Sequence, residues 1–411
     1  MTSPSPGSSA AGAVIIGAGR TGRGLAGVLC QRSQLPFVLV DQDPRLVASL
    51  ATAGEYAVHV LGAHPPEVLR LRPQACYHSS DPRWIEAAVS ARVIMTSVFG
   101  NHLGELAGAL AEIIRQRHQR HRGPLDIITC ENLTHAARVL RVAVERALAG
   151  SGVSLSACPV GFVEAMVLTT SLAAAPGADP LSVRTQNAFR LPCDGDALIA
   201  GDPGINGLEP LAHFENQLRR KIYTYNGINA VISYLGAQRG HLELASATRD
   251  PEITPWAILA GQEASAALVA EYGFPVQEQE RWQADALAKF ADQDIPDPIA
   301  RNAADPARKL SAEDRLVGPA LLALSHRQTP RALVRGIIAA AHYRSTERPG
   351  ESGAEEASLL ERHGSLAAVL MATARLPADH PLVALVEAEA SALARAGLSH
   401  ATGVTIANPA P

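Results

Sequence analysis

Lys221 opens the stretch of this sequence with the most chemical promise, Arg220-Lys221-Ile222-Tyr223-Thr224-Tyr225-Asn226-Gly227-Ile228-Asn229. Lysine is scarce here, with Lys221, Lys289 and Lys309 the only ones among 36 basic residues. In a chain that uses arginine nearly everywhere, a lysine is expected mainly where arginine will not do, and arginine cannot act as a base at neutral pH. A lysine can, once burial or a neighbouring positive charge brings its pKa down from about 10.4 towards 7–8. On a helix turning about 100° per residue, Lys221, Tyr225 and Asn229 share one stripe with Asn226 beside it. Amide N–H groups of asparagine can hold an oxygen that is becoming a carbonyl. A base next to such amides suits oxidation of an alcohol, given a separate hydride acceptor. The plainer reading is a surface lysine with two surface amides.

The hydride acceptor is suggested near the other end of the chain. Gly17-Ala18-Gly19-Arg20-Thr21-Gly22 is a GxGxxG turn directly after the apolar run Ala13–Ile16 and at the start of a helix. Gly17 permits the tight turn, Gly19 lets backbone approach a pyrophosphate, and Gly22 allows close helix packing. Arg20 and Thr21 lie in the same turn, whose N–H groups and helix dipole favour an anion. Asp41 ends the second expected strand, nineteen residues after Gly22. A carboxylate there accepts hydrogen bonds from the adenosine ribose and repels a 2′-phosphate, which favours NAD over NADP as cofactor. Arg45, a few residues on, would favour the phosphate instead. The plainer reading is a strand–turn–helix that binds no nucleotide.

These motifs need elements to hold them. Strands are expected at 13–16, 37–40, 93–98 and 125–130, with helices between, including a long one ending near Arg122. That alternation predicts an α/β fold, a Rossmann-type domain over 13–200 with a parallel sheet covered by helices on both faces. A further strand is expected near Leu181–Thr185. From Leu208 the pattern turns helical, so 201–400 reads as a helical substrate or catalytic domain, with the active site in the cleft between the two. Residues 1–12 read as a disordered tail, 348–357 as an exposed loop and 401–411 as a frayed end.

Composition narrows the function classes. The net charge is −4 and 47% of residues are apolar, so nothing attracts nucleic acid or an anionic membrane electrostatically. No apolar run approaches the roughly 20 residues needed to span a bilayer. Five cysteines without CxxC spacing suggest reduced thiols in the cytoplasm rather than a disulfide framework. No Cys/His cluster has metal spacing, and His118 and His121 sit in a solvated helix end, so no metal is expected. The partner is then a small-molecule substrate, with the protein a monomer or small homo-oligomer.

Several longer stretches carry a resemblance. GAGRTGRG (17–24), CENL (130–133), VGFVE (160–164), RKIYTYNGINAVISYLG (220–236), RKLSAEDRL (308–316) and GIIAAAHYRS (336–345) resemble, in order and spacing, the polyol-specific long-chain dehydrogenase/reductase family, also called the mannitol dehydrogenase family. The resemblance runs from about residue 13 to 398. It implies an NAD(H)-binding Rossmann-like domain, a helical C-terminal domain, and chemistry by a lysine base without metal. The family's K-x4-N-x2-H motif falls on Lys221, Asn226 and Asn229, and the asparagine of its C-[DE]-N-L motif on Asn132. Bacterial origin fits the Ala- and Arg-rich composition.

The departures bear on the substrate. The motif histidine is Asn229, which cannot carry a proton. Glu164 and the run Leu168-Thr169-Thr170-Ser171 replace a charged patch usual after VGFV in the branch acting on mannitol phosphate, and Ala304 replaces a common arginine. His342 and Arg344 are candidate substrate contacts, Arg308 and Lys309 candidate anion contacts or partners of Glu313 and Asp314, and Glu131 and Tyr223 scaffold or site. The expectation is retained redox chemistry, between a secondary alcohol and a ketone, on a polyol, cyclitol or sugar-like substrate other than mannitol 1-phosphate, with or without phosphate. Rival expectations are the mannitol-phosphate activity itself and a catalytically inactive NAD(H)-binding homologue.

Overall fold

Ala13-Val14-Ile15-Ile16 has no polar alternation because both its faces are covered: it forms β1 (Ala13–Ile16), buried throughout. In the computed structural model, which describes residues 12–131, 133, 135–344, 357–396, 398–399 and 404–405, the chain divides into two compact units, Met1–Glu215 and Asn216–Pro411.

In the first unit β1 is joined by β2 (Phe37–Asp41), β3 (Tyr56–Leu61), β4 (Glu67–Leu71), β5 (Ala75–His78), β6 (Val93–Thr96), β7 (Leu125–Thr129) and β8 (Val160–Glu164). Six of these form a parallel sheet in the order β5-β2-β1-β6-β7-β8. The order reverses beside β1, and the crevice at that switch point is where such sheets take a dinucleotide. Alternate residues of each strand serve two cores. Ile15, Leu39 and Met95 pack on one side with Leu25 and Leu29. Val14, Val38 and Ile94 pack on the other with Leu110, Ile113 and Leu140. The helices are α1 (Gly27–Arg32), α2 (Pro44–Ala53), α3 (Arg83–Ser90), α4 (Ala107–Gln119) and α5 (Ala136–Leu148).

A second sheet, of which the sequence announced only one strand, has the order β4-β3-β10-β9, with β9 at Ser171–Ala173 and β10 at Val183–Gln186. Its edge strand β4 is largely half-buried or exposed, which is why it lacks a strong apolar signature. The first unit also runs past the expected boundary at residue 200. β11 (Leu191–Asp194) pairs in parallel with β12 (Leu208–Leu211), so Leu208 begins a strand rather than the helical pattern. Gly12, assigned to the tail, is buried, and its carbonyl accepts from Arg92 N–H at 3.0 Å.

The second unit is helical: α6 (Phe214–Arg220), α7 (Asn226–Gln238), α8 (Leu244–Thr248), α9 (Thr254–Tyr272), α10 (Val276–Phe290), α11 (Ile299–Ala303), α12 (Pro306–Lys309), α13 (Val317–Ser325), α14 (Arg331–His342), α15 (Leu359–His363), α16 (Leu366–Ala374) and α17 (Pro381–Arg395). α7 is buried from Gly227 to Gly236 at every position but Asn229, because it is the central helix. Ile228, Val231, Ile232 and Leu235 sit in one core with Ile253, Leu333, Ile337 and Val386. Of the end expected to fray, Val404–Thr405 pairs antiparallel with Leu398–Ser399. Residues 1–11, 345–356 and the rest of 401–411 lie outside the described residues.

The glycine turn shows how tightly the first unit is built. Gly17 has φ +100°, and a Cβ there would lie 2.3 Å from the Ser97 carbonyl oxygen. A Cβ on Gly22 would lie 1.9 Å from the Gly17 oxygen, whereas one on Gly19 would meet nothing within 4 Å. Gly22→Ala should therefore cost about 3 kcal/mol, a fall in Tm of about 6–12 °C, and Gly19→Ala less than about 0.5 kcal/mol, as read by thermal unfolding.

Candidate active site

The glycine turn leads into a π-helical turn, Gly22–Ala26, closed by Gly27 N–H donating to the Gly22 carbonyl. The peptide of Ala18 within the turn is clamped on both sides. Its N–H donates to Asp41 Oδ2 at 2.7 Å, and its oxygen accepts from Arg23 Nε at 2.8 Å. Arg23 is buried and also donates to the Leu181 carbonyl. Burial lowers its pKa, while Tyr56, Asp41 and Asp179 oppose the shift. Nothing in the sequence pointed to Arg23, whose partners are a neighbouring loop and a residue 158 positions away.

A cavity of about 620 Å³ opens over this turn, lined by Gly17, Gly19, Arg20 and Thr21 and by Asp41 at the end of β2. Asp41 thus reaches the place expected of it, already fastening the turn through Ala18 and accepting from Asp43 N–H at 2.9 Å. A carboxylate has about four lone-pair sites, so acceptor capacity remains for ribose hydroxyls. The residues fit a dinucleotide. Backbone is open to approach only where Gly19 stands, unpaired N–H groups lie at a helix start, and a carboxylate marks the adenosine end.

On its other side the cavity is lined by Glu131, just past β7. Glu131 is 6% exposed. Its carboxylate accepts from Thr96 Oγ1 at 2.9 Å and from Val98 N–H at 3.0 Å. Burial raises its pKa to about 7 against these hydrogen bonds, with Glu164 adding to the rise. Glu164 is buried at the end of β8, where burial raises its pKa and the backbone N–H groups of His135, Ala136 and Ala137 hold it down. Its Oε1 is buried without a hydrogen-bond partner among the described residues. Asn132 lies outside the described residues. The stretch expected to replace a charged patch is put to other use: Ser171 Oγ accepts from Thr185 Oγ1 at 3.2 Å, and Thr169 Oγ1 donates to the Ala188 carbonyl.

In the second unit Lys221 heads another π-helical turn, Lys221–Tyr225, closed by Asn226 N–H donating to the Lys221 carbonyl. The wider turn revises the expected stripe, since it is Asn226, five residues on, that comes into backbone register with Lys221. Tyr225 packs into the core, edge-on to Phe290 with ring centroids 4.7 Å apart. The turn is anchored from both flanks. Arg220, 2% exposed, donates to Gln279 Oε1 at 2.6 Å and Glu278 Oε1 at 2.7 Å, and Gln279 Nε2 donates to Thr224 Oγ1 at 2.7 Å. Lys221 is 6% exposed. Burial lowers its pKa to about 8, with the positive charges of Arg315 and Lys289 adding to the shift.

The other two lysines behave alike. Lys289 lies 5.1 Å from the Tyr225 ring centroid, and burial brings its pKa to about 8. Lys309, 4% exposed, lies 5.6 Å from the Tyr234 ring centroid, donates to the Asn302 carbonyl, and is lowered to about 7 by burial. Asn229 Nδ2 donates to Asn302 Oδ1 at 3.2 Å, and Asn302 Nδ2 donates in turn to Asp297 Oδ1 and, at 3.0 Å, to the Pro298 carbonyl. Asn302 and Asp297 were missed in the sequence, 73 and 68 residues from Asn229. Arg308 pairs with Asp305 at 2.7 Å and Asp314 at 2.9 Å. His342 ends α14, its Nδ1 2.8 Å from the Ile338 carbonyl oxygen, and Arg344 is exposed and paired with Glu361.

Among the described residues, no group of three or more His, Cys, Asp or Glu side chains is placed to hold a metal ion. No helix among them is long and apolar enough to cross a membrane.

Residues 11–207 match the mannitol dehydrogenase Rossmann domain and residues 213–383 the mannitol dehydrogenase C-terminal domain. The chain belongs to the mannitol dehydrogenase family. A mannitol-1-phosphate 5-dehydrogenase of Brevibacillus brevis is 32% identical, over 94% of this chain and 100% of that protein. One of Geobacillus thermodenitrificans is 30% identical, over 92% and 97%. Among solved structures, Pseudomonas fluorescens mannitol 2-dehydrogenase in ternary complex with NAD and D-mannitol aligns with TM-score 0.70 at 15% identity, covering 94% of this chain and 92% of that one. A substrate-free D-sorbitol dehydrogenase aligns with TM-score 0.72 at 14% identity, covering 95% and 94%. These two share the fold. By family the chain is an NAD-dependent oxidoreductase acting on CH–OH groups.

The buried lysines make stability depend on pH in a definite sense. A lysine whose folded pKa is lowered holds fewer protons than its unfolded counterpart between the two values, so its contribution rises with pH there. For Lys309 that window runs from about 7 to about 10.4. Lys309→Met should therefore compare best with the parent below pH 7 and lose on the order of 3 kcal/mol of that relative standing by about pH 10. Denaturant unfolding of both proteins across this range would measure it, and a pH-independent difference would contradict it.

Proposed function

We propose that this protein interconverts a secondary alcohol and a ketone on a polyol, cyclitol or sugar-like substrate, with or without a phosphate group. The observation that carries the proposal is Lys221, buried, lowered to about 8 and one π turn ahead of Asn226. In oxidation the neutral Nζ of Lys221 takes the hydroxyl proton as the C–H bond breaks; in reduction the ammonium returns it. Asn226, and Asn132 by its place in the family motif, would donate amide N–H groups to the oxygen as it becomes a carbonyl. NAD, when bound, supplies the hydride acceptor. Gly17, Gly19, Arg20, Thr21, Gly22 and Asp41 would hold it.

Asn229 has a more particular role, set by hydrogen-bond polarity. Asn302 donates its NH₂ to Asp297 Oδ1 and so turns its oxygen to Asn229. Asn229 in turn spends its NH₂ on Asn302 and keeps its own oxygen as the outward acceptor. A substrate hydroxyl would donate to that oxygen, where the family histidine would present a ring nitrogen. With Ala304 in place of an arginine, this supports a substrate other than mannitol 1-phosphate. Mannitol 1-phosphate itself is the second reading, favoured by the two relatives of that name aligned over nearly the whole chain. Glu164, His342 and Arg344 remain proposed substrate contacts. Five free cysteines, with Cys30 and Cys193 pushed up to about 12 by burial, support a reducing compartment such as the cytoplasm.

The deciding experiment follows NADH oxidation with fructose 6-phosphate and with a panel of keto-sugars and ketocyclitols, phosphorylated or not. Turnover of fructose 6-phosphate alone would establish the second reading; turnover only elsewhere in the panel would establish a different substrate; no turnover at all would overturn the enzyme. On whichever alcohol reacts, Lys221→Ala should lose about 10²–10⁴-fold in kcat while still binding NADH. Parent kcat/KM for oxidation should rise with pH to a plateau above about 8, as Lys221 gives up its proton. Asn302→Ala should raise KM about 10-fold with kcat within about 3-fold, since it releases an orienting group rather than the base. A loss confined to kcat would remove that role from Asn229.

A further inference from the structure

We infer that Glu131 biases the first unit toward the oxidised form of its dinucleotide, its carboxylate acting as counter-charge to the cationic nicotinamide of NAD⁺. The inference rests on the NAD reading.

Buried carboxylates are ordinarily paired with a cation or neutralised. Glu131 is 6% exposed and accepts from two neutral donors, Thr96 Oγ1 and Val98 N–H. Among the described residues no basic side chain forms an ion pair with it. The charged groups around it do not compensate. From β8 it faces Glu164, another acid. β6 and the two residues after it, which supply its hydrogen-bond donors, carry no charged side chain between Val93 and Val98. Across the same cavity His102 is already 2.9 Å from Glu105, and Arg20 and Asp41 belong to the glycine-turn side. Glu131 is thus a buried acid without a counter-ion, and it lines the cavity.

Topology says which part of the ligand it meets. The cavity runs from Asp41 at the end of β2, past Gly17 and Gly19 after β1, to Glu131 after β7, and β2 and β7 lie on opposite sides of β1 in the sheet. With the pyrophosphate over the glycine turn and the adenosine ribose at Asp41, the remaining end of the dinucleotide falls on the Glu131 side. That end is the nicotinamide, the one part whose charge changes with oxidation state: positive in NAD⁺, neutral in NADH. An ionised carboxylate in a site of low dielectric favours the first. The carboxyl, raised by burial to about 7, is neutral below that value and charged above it. The bias should therefore appear as pH rises through 7, and NAD⁺ in turn should hold the carboxyl ionised.

The test is calorimetric titration of NAD⁺ and of NADH into the full chain and into Glu131→Gln, with no turnover involved. Glutamine keeps an oxygen for Val98 N–H, removes the charge, and turns an NH₂ to the Thr96 hydroxyl, which can rotate to accept from it. We expect the ratio of the NADH to the NAD⁺ dissociation constant to fall about 10-fold in Glu131→Gln. In the parent protein the same ratio should climb between about pH 6 and pH 8.5, and in the variant stay flat. An unchanged ratio, or equal weakening of both forms, would overturn the inference while leaving NAD binding intact. If the variant does not fold, the parent series decides alone, a flat ratio counting against Glu131. Failure of the parent to bind either form would overturn the NAD reading as well.

Discussion

An ammonium group taken out of water resists carrying its charge, and the second unit puts all three lysines of the chain under that constraint. Lys221, Lys289 and Lys309 are lowered to about 8, 8 and 7, burial being the first cause each time. A site that needs an amine half-willing to give up its proton gets one this way. Holding it there requires rigidity on every side. Arg220, Gln279 and Thr224 brace one flank of the turn, and the apolar length of α7 continues from the other. The packing of this helical unit and the acidity of Lys221 are two aspects of one arrangement.

The first unit solves a different problem, keeping backbone close to an expected anion while leaving one place open. Gly17 and Gly22 are closed against each other and against Ser97, Asp41 and Arg23 clamp the peptide between them, and Gly19 alone is uncrowded. Tyr56 reinforces this from the second sheet, donating its hydroxyl to the Arg23 carbonyl at 3.1 Å. The additional sheet thus bears on the nucleotide site through the π turn, although none of its strands reaches the cavity lining.

What could be read from the sequence was what is local in it. The glycine turn with Asp41 depends on residues within one strand–helix–strand span, and Lys221 with Asn226 on six consecutive positions, so type and spacing announced them. The edge strand β4 and its neighbour β3 were not visible, since neither has a continuous apolar run: both alternate more buried with more exposed positions. The boundary was placed too early because Leu208-Glu209-Pro210-Leu211 becomes a strand only by pairing with Leu191–Asp194. Arg23, Asn302 and the setting of Glu131 depend on partners 33 to 158 residues away, which no local pattern encodes. The hydroxyls of Thr169 and Ser171, in the run that replaces a charged patch, are likewise engaged with residues 19 and 14 positions away.

The Lys221 stretch is housed in a π turn and the glycine turn leads into another, and a π turn is an α-helix carrying one residue more than its hydrogen bonds require. Its five-residue ring fixes the count between Lys221 and Asn226 while leaving the identity of the residues beyond free to drift. An asparagine can stand where relatives have a histidine, because side chains there hang from a backbone whose phase does not change. Loss of one residue from the turn would be another matter: the helix would relax to the ordinary pitch, and every later side chain of α7 would swing round the axis by about 100°, carrying Asn229 away from Asn302. Substitution beyond the turn leaves the phase of α7 as it is, whereas loss of a residue within it does not.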